Sequence, residues 1–464
     1  MDLGFETIGN ATLICHDQRP ILVTDPWLTG SAYFGSWTFS HDIPEEQRHA
    51  ISRCEYVWLS HGHPDHLSAE SLAQLRSKKV LLPNHFGGRI YEELRAQGYD
   101  VHIVVDREWI ELSPRIRVLC IPDYNQDAVL LVDLGGTLVV NLNDASDHGW
   151  SGFVRRIIRT YPKSFLLALS GYGDADMIHY KTEDGARIPP PAALKSPVGQ
   201  SIARQVEYFG ARWFVPFSSM HRYQRTDSLW ADAYTTRLDD YPKGFASKTA
   251  ELTPAFIRYE CDRDRLTEIR PAELPVIPKD PKEFGDDWSE PLEAEDVRRL
   301  EQYFRAVEHL ERSIDFITFR VGGREHRIEL GRRRFRRGIT FEAPRHSLMT
   351  AVRYEIFDDL LIGNFMSTTL HGDAGPDGLY PDFTPWVAKY GDNGRARSRN
   401  EVNAYFRAYR RRDPLGFLRH RLDVGCVRPL QESASRALRE RLGPGSKLFR
   451  ATKELYWSTR RALG

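Results

Sequence analysis

The sequence predicts an α/β fold of two sheets covered by helices, with a second, α+β domain behind it. Three observations carry that expectation. Short β-rich runs alternate with helical patterns over about the first 260 residues, several of those runs come in close pairs, and a proline-rich break at 270–288 precedes a stretch of different pattern. At 464 residues the chain also exceeds one ordinary core, since a domain takes roughly 100–200 residues.

The β-rich runs read in order as ATLIC, ILVTDPW, YVWLSH, KVLLPNH, VHIVVD, IRVLCIP, AVLLVDL, TLVVNLND, SFLLALSG and WFVPFSS. Between them lie segments such as SAESLAQLRS, whose apolar residues recur at three- and four-residue spacing, as a helix requires. In AVLLVDLGGTLVVNLND the Gly135-Gly136 pair marks a hairpin. Hairpins mixed with strand–helix units fit two helix-covered sheets better than one doubly wound parallel sheet. Residues 184–196, DGARIPPPAALKS, read as a proline-rich surface loop. We therefore expect a first domain at 1–268, a proline-rich linker at 269–289, and a second domain at 290–464 that covers a substrate. In the second domain, IDFITFRVGGREHRIELGRRRFRRGITFEAP predicts successive antiparallel strands with a turn at Gly322-Gly323. The rest is mainly helical and arginine-rich.

Composition narrows the function. With 64 basic and 64 acidic side chains the formal charge is zero, which argues against a general nucleic-acid binder. No apolar run reaches the roughly 18 residues of a membrane span. The N-terminal MDLGFETIGNATLICHDQRP has neither a basic region nor a long apolar one, so no secretory signal is expected. Five scattered cysteines fit reduced thiols in a cytoplasm better than a disulfide framework.

The chemistry concentrates in YVWLSHGHPDHLS, where His61, His63, Asp65 and His66 follow an apolar run. A loop at a strand end can bend to aim several side chains at one point. Alternation puts His61 and His63 on one side, and Pro64 turns the chain before Asp65 and His66. One ion rarely takes four ligands from so short a segment, so the spacing suits two adjacent metals.

HGHPDH resembles the signature of the metallo-β-lactamase fold, an αββα sandwich with its metals at one edge. The resemblance extends in order to Asp25 in ILVTDPWL, which would support the metal loop. It also reaches Asp144 in VVNLNDA, which would bridge two metals, and His221 in FVPFSSMH, the fold's last histidine. By that resemblance His61 and His63 hold the first metal, with Asp65, His66 and His221 on the second. The fold usually offers another histidine after the IRVLCIP strand, but here the chain reads IPDYNQDAVLL. Asp123, Asn125 and Asp127 are the oxygen donors nearby, and Asp127 is the favoured replacement. A carboxylate there favours iron or manganese over zinc.

Within the fold the chain resembles CMP-N-acetylneuraminate hydroxylase and its bacterial relatives, through LVTDPWLTGSAYFGSWTFS, LSHGHPDHLS, DAVLLVDLGGTLVVNLNDA and LMTAVRYEIFDDLLIGNFMSTTLHG. That family begins with a Rieske iron–sulfur domain, whose Cys and His ligands find no counterpart here, so a separate electron donor is expected as partner. The resemblance implies a diiron oxygenase that hydroxylates a small polar organic or nucleotide-linked substrate. The alternative is a hydrolase of an ester, lactone, amide or phosphodiester, in which two metals generate hydroxide from water and Asp65 or Asp144 orients it and takes its proton. His221, which those hydroxylases lack, favours the hydrolase. The likeness across both domains favours the oxygenase. For substrate contacts the segment SGYGDADMIHY offers Tyr172, Asp174 and His179.

Overall fold

A computed structural model describes residues 1–171, 178–194, 197–331, 337–372, 378–380, 382–391 and 394–423. Two sheets face each other over a shared apolar layer. The first has eight strands in the order Arg265–Glu268, Ile257–Glu260, Leu3–Ile8, Thr12–Asp17, Arg19–Thr24, Tyr56–Trp58, Lys79–Pro83 and Asp100–Val104. Its first half is an antiparallel meander, and from Arg19–Thr24 onward the strands run parallel. The second sheet has seven strands, with Lys163–Ala168, Thr137–Asn143 and Ala128–Leu134 at its centre. The Gly135-Gly136 hairpin is where the sequence places it, both glycines at positive φ.

Phe5, Leu13, Trp58, Leu130, Phe165 and Val215 fill the space between the sheets. A separate apolar cluster joins the outer faces to the covering helices, among them Glu45–Arg53, Ser151–Ile158 and Val198–Phe209. Central strands buried on both faces are apolar almost throughout, which explains why AVLLVDL and TLVVNLN were legible as strands. The layer order is αββα, and the fold is the metallo-β-lactamase sandwich.

The C-terminal half builds its own core around Phe304, Phe319, Phe341, Phe357 and Phe383. Its five-stranded sheet corrects one expectation. Phe316–Val321 and Arg324–Glu329 pair antiparallel around Gly322-Gly323, but Gly338–Glu342 runs parallel to Phe316–Val321 rather than antiparallel to its predecessor. The arginine run at 332–336 lies outside the described residues. An edge strand of this sheet, His179–Lys181, comes from the first half of the sequence and pairs with Ser367–His371.

Residues 269–289 form a strap that runs largely exposed along the surface and is pinned at Pro281 and Asp286, which are buried. The Pro281–Phe284 turn sits within it, and Asp286, 1% exposed, bonds Arg225 on one side and Ser347 on the other. Four further contacts lock the two halves together. Ser36 Oγ donates to Gly363 O at 2.5 Å, Asn364 Nδ2 donates to the Tyr223 hydroxyl at 2.8 Å, Trp230 Nε1 donates to Asn364 O at 3.1 Å, and the Arg225 guanidinium lies 3.8 Å from the Phe365 ring centroid. No helix among the described residues is long and apolar enough to cross a membrane.

Candidate metal centre

Strand ends of both sheets meet along one edge, and the polar side chains singled out in the sequence gather there. Asp25 follows Arg19–Thr24, the histidine loop follows Tyr56–Trp58, Asp144 follows Thr137–Asn143, and His221 opens the short His221–Tyr223 strand. The backbone is bent hard at these ends. Asp25, Tyr33, Gln126, Asn143, Ser218 and Ser219 all adopt positive φ, which non-glycine residues avoid unless the surroundings enforce it. Such concentrations of strain mark functional sites.

The donors converge closely. His61 Nε2 and His63 Nδ1 face each other at 2.8 Å. His66 Nε2 stands 3.2 Å from Asp65 Oδ2 and 3.3 Å from Asp144 Oδ2. One ligand atom each from His61, His66 and Asp144 lies within 4.8 Å of the others. His221 is buried, its ring stacked on Trp37 at 3.3 Å and 3°, and Asp65 and Asp144 act on it electrostatically.

Supporting groups hold these side chains from behind. Asp25 Oδ1 accepts the Ser60 N–H at 2.8 Å, while Oδ2 lies 3.4 Å from His66 Nδ1 and accepts from Asn143 Nδ2. Ser60 Oγ contacts His61 Nδ1 at 2.8 Å. Asp65 accepts from the Tyr33 hydroxyl at 2.6 Å and from Asn10 Nδ2 at 2.8 Å, and Asp144 accepts from Ser218 Oγ at 2.5 Å.

Both ring nitrogens of His66 and of His221 are buried without a hydrogen bond; the His66 carboxylate contacts are close but poorly aligned. Buried polar atoms are ordinarily paired, so orphans converging on one point signal a missing cation. The charges agree. Burial opposes protonation of His66, yet Asp65 and Asp144 hold it well above its ordinary value. Burial, with His66 and His63 alongside, pushes His61 well below its own, and burial lowers His221 to about 3. His61 and His221 are thus neutral donors beside ionised Asp65 and Asp144, whose pull on a proton at His66 is the pull they would exert on a cation in its place. Imidazole with carboxylate suits a divalent transition metal. The residues fit such ions.

Asp127 stands farther out. It lines the same cavity with its Oδ1 3.9 Å from His61 Nδ1, outside the tight group, and burial with Asp123 and Asp144 nearby raises it to about 7. Asp123 is engaged elsewhere, by His148 Nδ1 at 2.9 Å and the Asn125 N–H at 2.8 Å. Tyr172 and Asp174 lie outside the described residues. His179 is not in the cavity, contrary to its expected place among the substrate contacts. It begins a strand just past cavity-lining Ile178, and it accepts from Arg187 Nε beside Trp230.

A cavity of about 220 Å³ opens over the donors. Its far wall comes from the C-terminal half, through Asp358, Leu361, Ile362, Tyr380 and Pro385. None of these was singled out from sequence, nor were Asn10, Tyr33, Asn143 and Ser218. Tyr33, Asn143, Ser218, Asp358, Leu361 and Ile362 lie inside segments that carry the family resemblance, but no spacing rule picks them out within those segments.

No family model matches the chain. It is similar to the cytidine monophosphate-N-acetylneuraminic acid hydroxylase of Asterias rubens, 26% identical over 136 residues, which cover 27% of this chain and 21% of that protein. The Sus scrofa protein of the same name is 26% identical over 139 residues, 28% of this chain and 32% of that one. The matched stretch thus spans a fifth to a third of these relatives' length. Among solved structures, CmlA, a diiron beta-hydroxylase from Streptomyces venezuelae, aligns at a TM-score of 0.31 and 16% identity, over 47% of this chain and 45% of that one. A possible metal-dependent hydrolase from Veillonella parvula aligns at 0.36 and 14%, over 52% and 91%.

Proposed function

We propose that the chain is a binuclear metal-dependent oxygenase, with iron as its metal, that hydroxylates a small organic molecule using electrons from a separate donor. The observation that carries this reading is the carboxylate-rich donor set: Asp65, Asp127 and Asp144 all line one cavity with His61 and His63. Oxygen donors mixed with imidazole suit redox iron. The similarity to hydroxylases over the matched stretch points the same way.

In this reading His61 and His63 would hold one ion and Asp65, His66 and His221 the other, with Asp144 available to both and Asp127, at the cavity wall, as a further oxygen donor for the first. When bound, such a pair supplies the activation of O2. The chain's own part is positional. Tyr33 and Asn10 fix Asp65, Ser218 fixes Asp144, and Asp25 fixes the loop. Leu169, Ile178, Leu361, Ile362 and Pro385 give the substrate an apolar face and limit water. The small volume, below the roughly 300–1,000 Å³ of ordinary ligand sites, suits a compact substrate.

The second reading is a hydrolase of an ester, lactone, amide or phosphodiester. His221, buried with both ring nitrogens unpaired beside Asp65 and Asp144, supports it by completing the histidine set of that chemistry. Elemental analysis of protein purified without chelator separates the two. About two irons per chain, with a visible band that bleaches on reduction, is the expected result. Two zincs and no iron would transfer the assignment to the hydrolase. Less than one metal per chain, with a melting point unchanged by chelator, would overturn both.

A further inference from the structure

Each loop histidine has one nitrogen turned toward the cluster and one turned away. The outward nitrogen of His61 meets Ser60 Oγ at 2.8 Å, and that of His66 meets Asp25 Oδ2 at 3.4 Å. His63 directs Nδ1 at His61, and its Nε2 lies 3.6 Å from Asp358 Oδ2. Asp358 belongs to the Phe357–Gly363 helix of the C-terminal half, nearly 300 residues away in sequence.

Asp358 is 7% exposed, and its Oδ1 is buried without a hydrogen bond. An acid that served only the helix's positive N-terminal end would sit in water, because burying an unpaired carboxylate is costly. This one is pressed against the metal loop instead. The helix that carries it is held there by Ser36 on Gly363 and by Asn364 on Tyr223, so its approach to His63 is fixed by the interface between the two halves.

We propose that Asp358 is the positioning residue for His63, supplied by the C-terminal half, and that metal loading and docking of that half are coupled through it. The inference rests on the metal-centre reading above. A cation taken on Nδ1 leaves the imidazole proton on Nε2, the nitrogen that faces Asp358. The contact then becomes an N–H donated to a carboxylate, the arrangement that orients metal-bound histidines and raises their affinity. Asp358 is thus the third member of a set whose other members are Ser60 and Asp25.

The test is Co(II) titration of the full chain after chelator stripping, followed by the visible ligand-field bands, with melting of the metal-free protein measured alongside. Asp358→Ala is expected to weaken Co(II) binding by about 10–100-fold and to alter the bands, with the metal-free melting point unchanged. Asp358→Asn, which keeps a carbonyl acceptor, is expected to recover part of the affinity, and it serves if the alanine variant does not fold. Wild-type affinity in both variants would overturn the proposal. So would complete loss of one equivalent with the other untouched, which would make Asp358 a ligand. Failure of the wild-type chain to take up Co(II) would instead bring down the metal-centre reading itself.

Discussion

Two buried polar clusters lie close together and are built on opposite rules. Around Arg225, fully buried, every charge has its partner: Nε and Nη2 donate to Asp227 at 3.0 and 2.8 Å, and Nη1 donates to Asp286 at 2.7 Å and Phe34 O at 2.9 Å. Asp286 also accepts the Ser347 N–H and hydroxyl, and Trp288 Nε1 closes on Asp227. At the histidine loop, His66, His221 and Asp358 keep buried atoms with no hydrogen bond. The first cluster is finished by the protein and acts as a joint between strap, sandwich and C-terminal half. The second is finished only by something the chain does not itself provide. Polar burial alone therefore does not identify a site; unpaired imidazole and carboxylate atoms converging on one point do.

The comparison breaks most visibly at the joint. Arg225→Ala takes the cation from buried Asp286 and half-buried Asp227, leaving them only Ser347 and Trp288, and removing one partner of a buried pair costs about 3–5 kcal/mol. Chemical denaturation should show that loss with and without metal alike. A loss seen only in the metal-loaded protein would mean the joint belongs to the site after all.

The incomplete cluster should respond in the reverse sense. His221→Phe removes two unpaired buried nitrogens and keeps a ring to stack on Trp37, so the metal-free protein should melt no lower than wild type. Wild-type protein should gain about 2.7 kcal/mol when metal is present at a hundredfold excess over its Kd. The variant should gain clearly less. Equal gains, read by thermal denaturation with and without metal, would remove His221 from the ligand set.

How much of this could be read in advance depends on whether a signal is local. The strands of the second sheet announced themselves as apolar runs, and the histidine loop as four donors in six positions. Leu3–Ile8 went unread because Gly4, Glu6 and Thr7 make it look polar, although Glu6 and Thr7 are buried against partners brought from elsewhere in the chain. Tyr33, Asn10 and Asp358 reach the site from remote loops and a helix, so no spacing rule connects them to it. His179 sits one residue past cavity-lining Ile178 and is hydrogen-bonded to Arg187, a contact no local pattern announces. Local pattern predicts donors; it does not predict what holds them.

Glu6 extends the comparison to a third buried cluster, whose effect shows as a change in the acid limb. Burial alone would raise its carboxyl, but the His16 hydrogen bond and charge, Gln47 and Arg258 outweigh burial and hold it down at about 2 against an ordinary 4.5. A depressed carboxylate stabilises the fold fully above its unfolded value, and that contribution fades as pH falls from about 4.5 through about 2. Glu6→Gln should therefore lower stability at neutral pH and flatten the acid limb of the stability curve within that window, leaving metal uptake at neutral pH unchanged. An acid limb as steep as wild type would show that other carboxylates dominate it. A fall in metal uptake would show that the Leu3–Ile8 strand, next to Asn10 and through it Asp65, transmits its strain into the site.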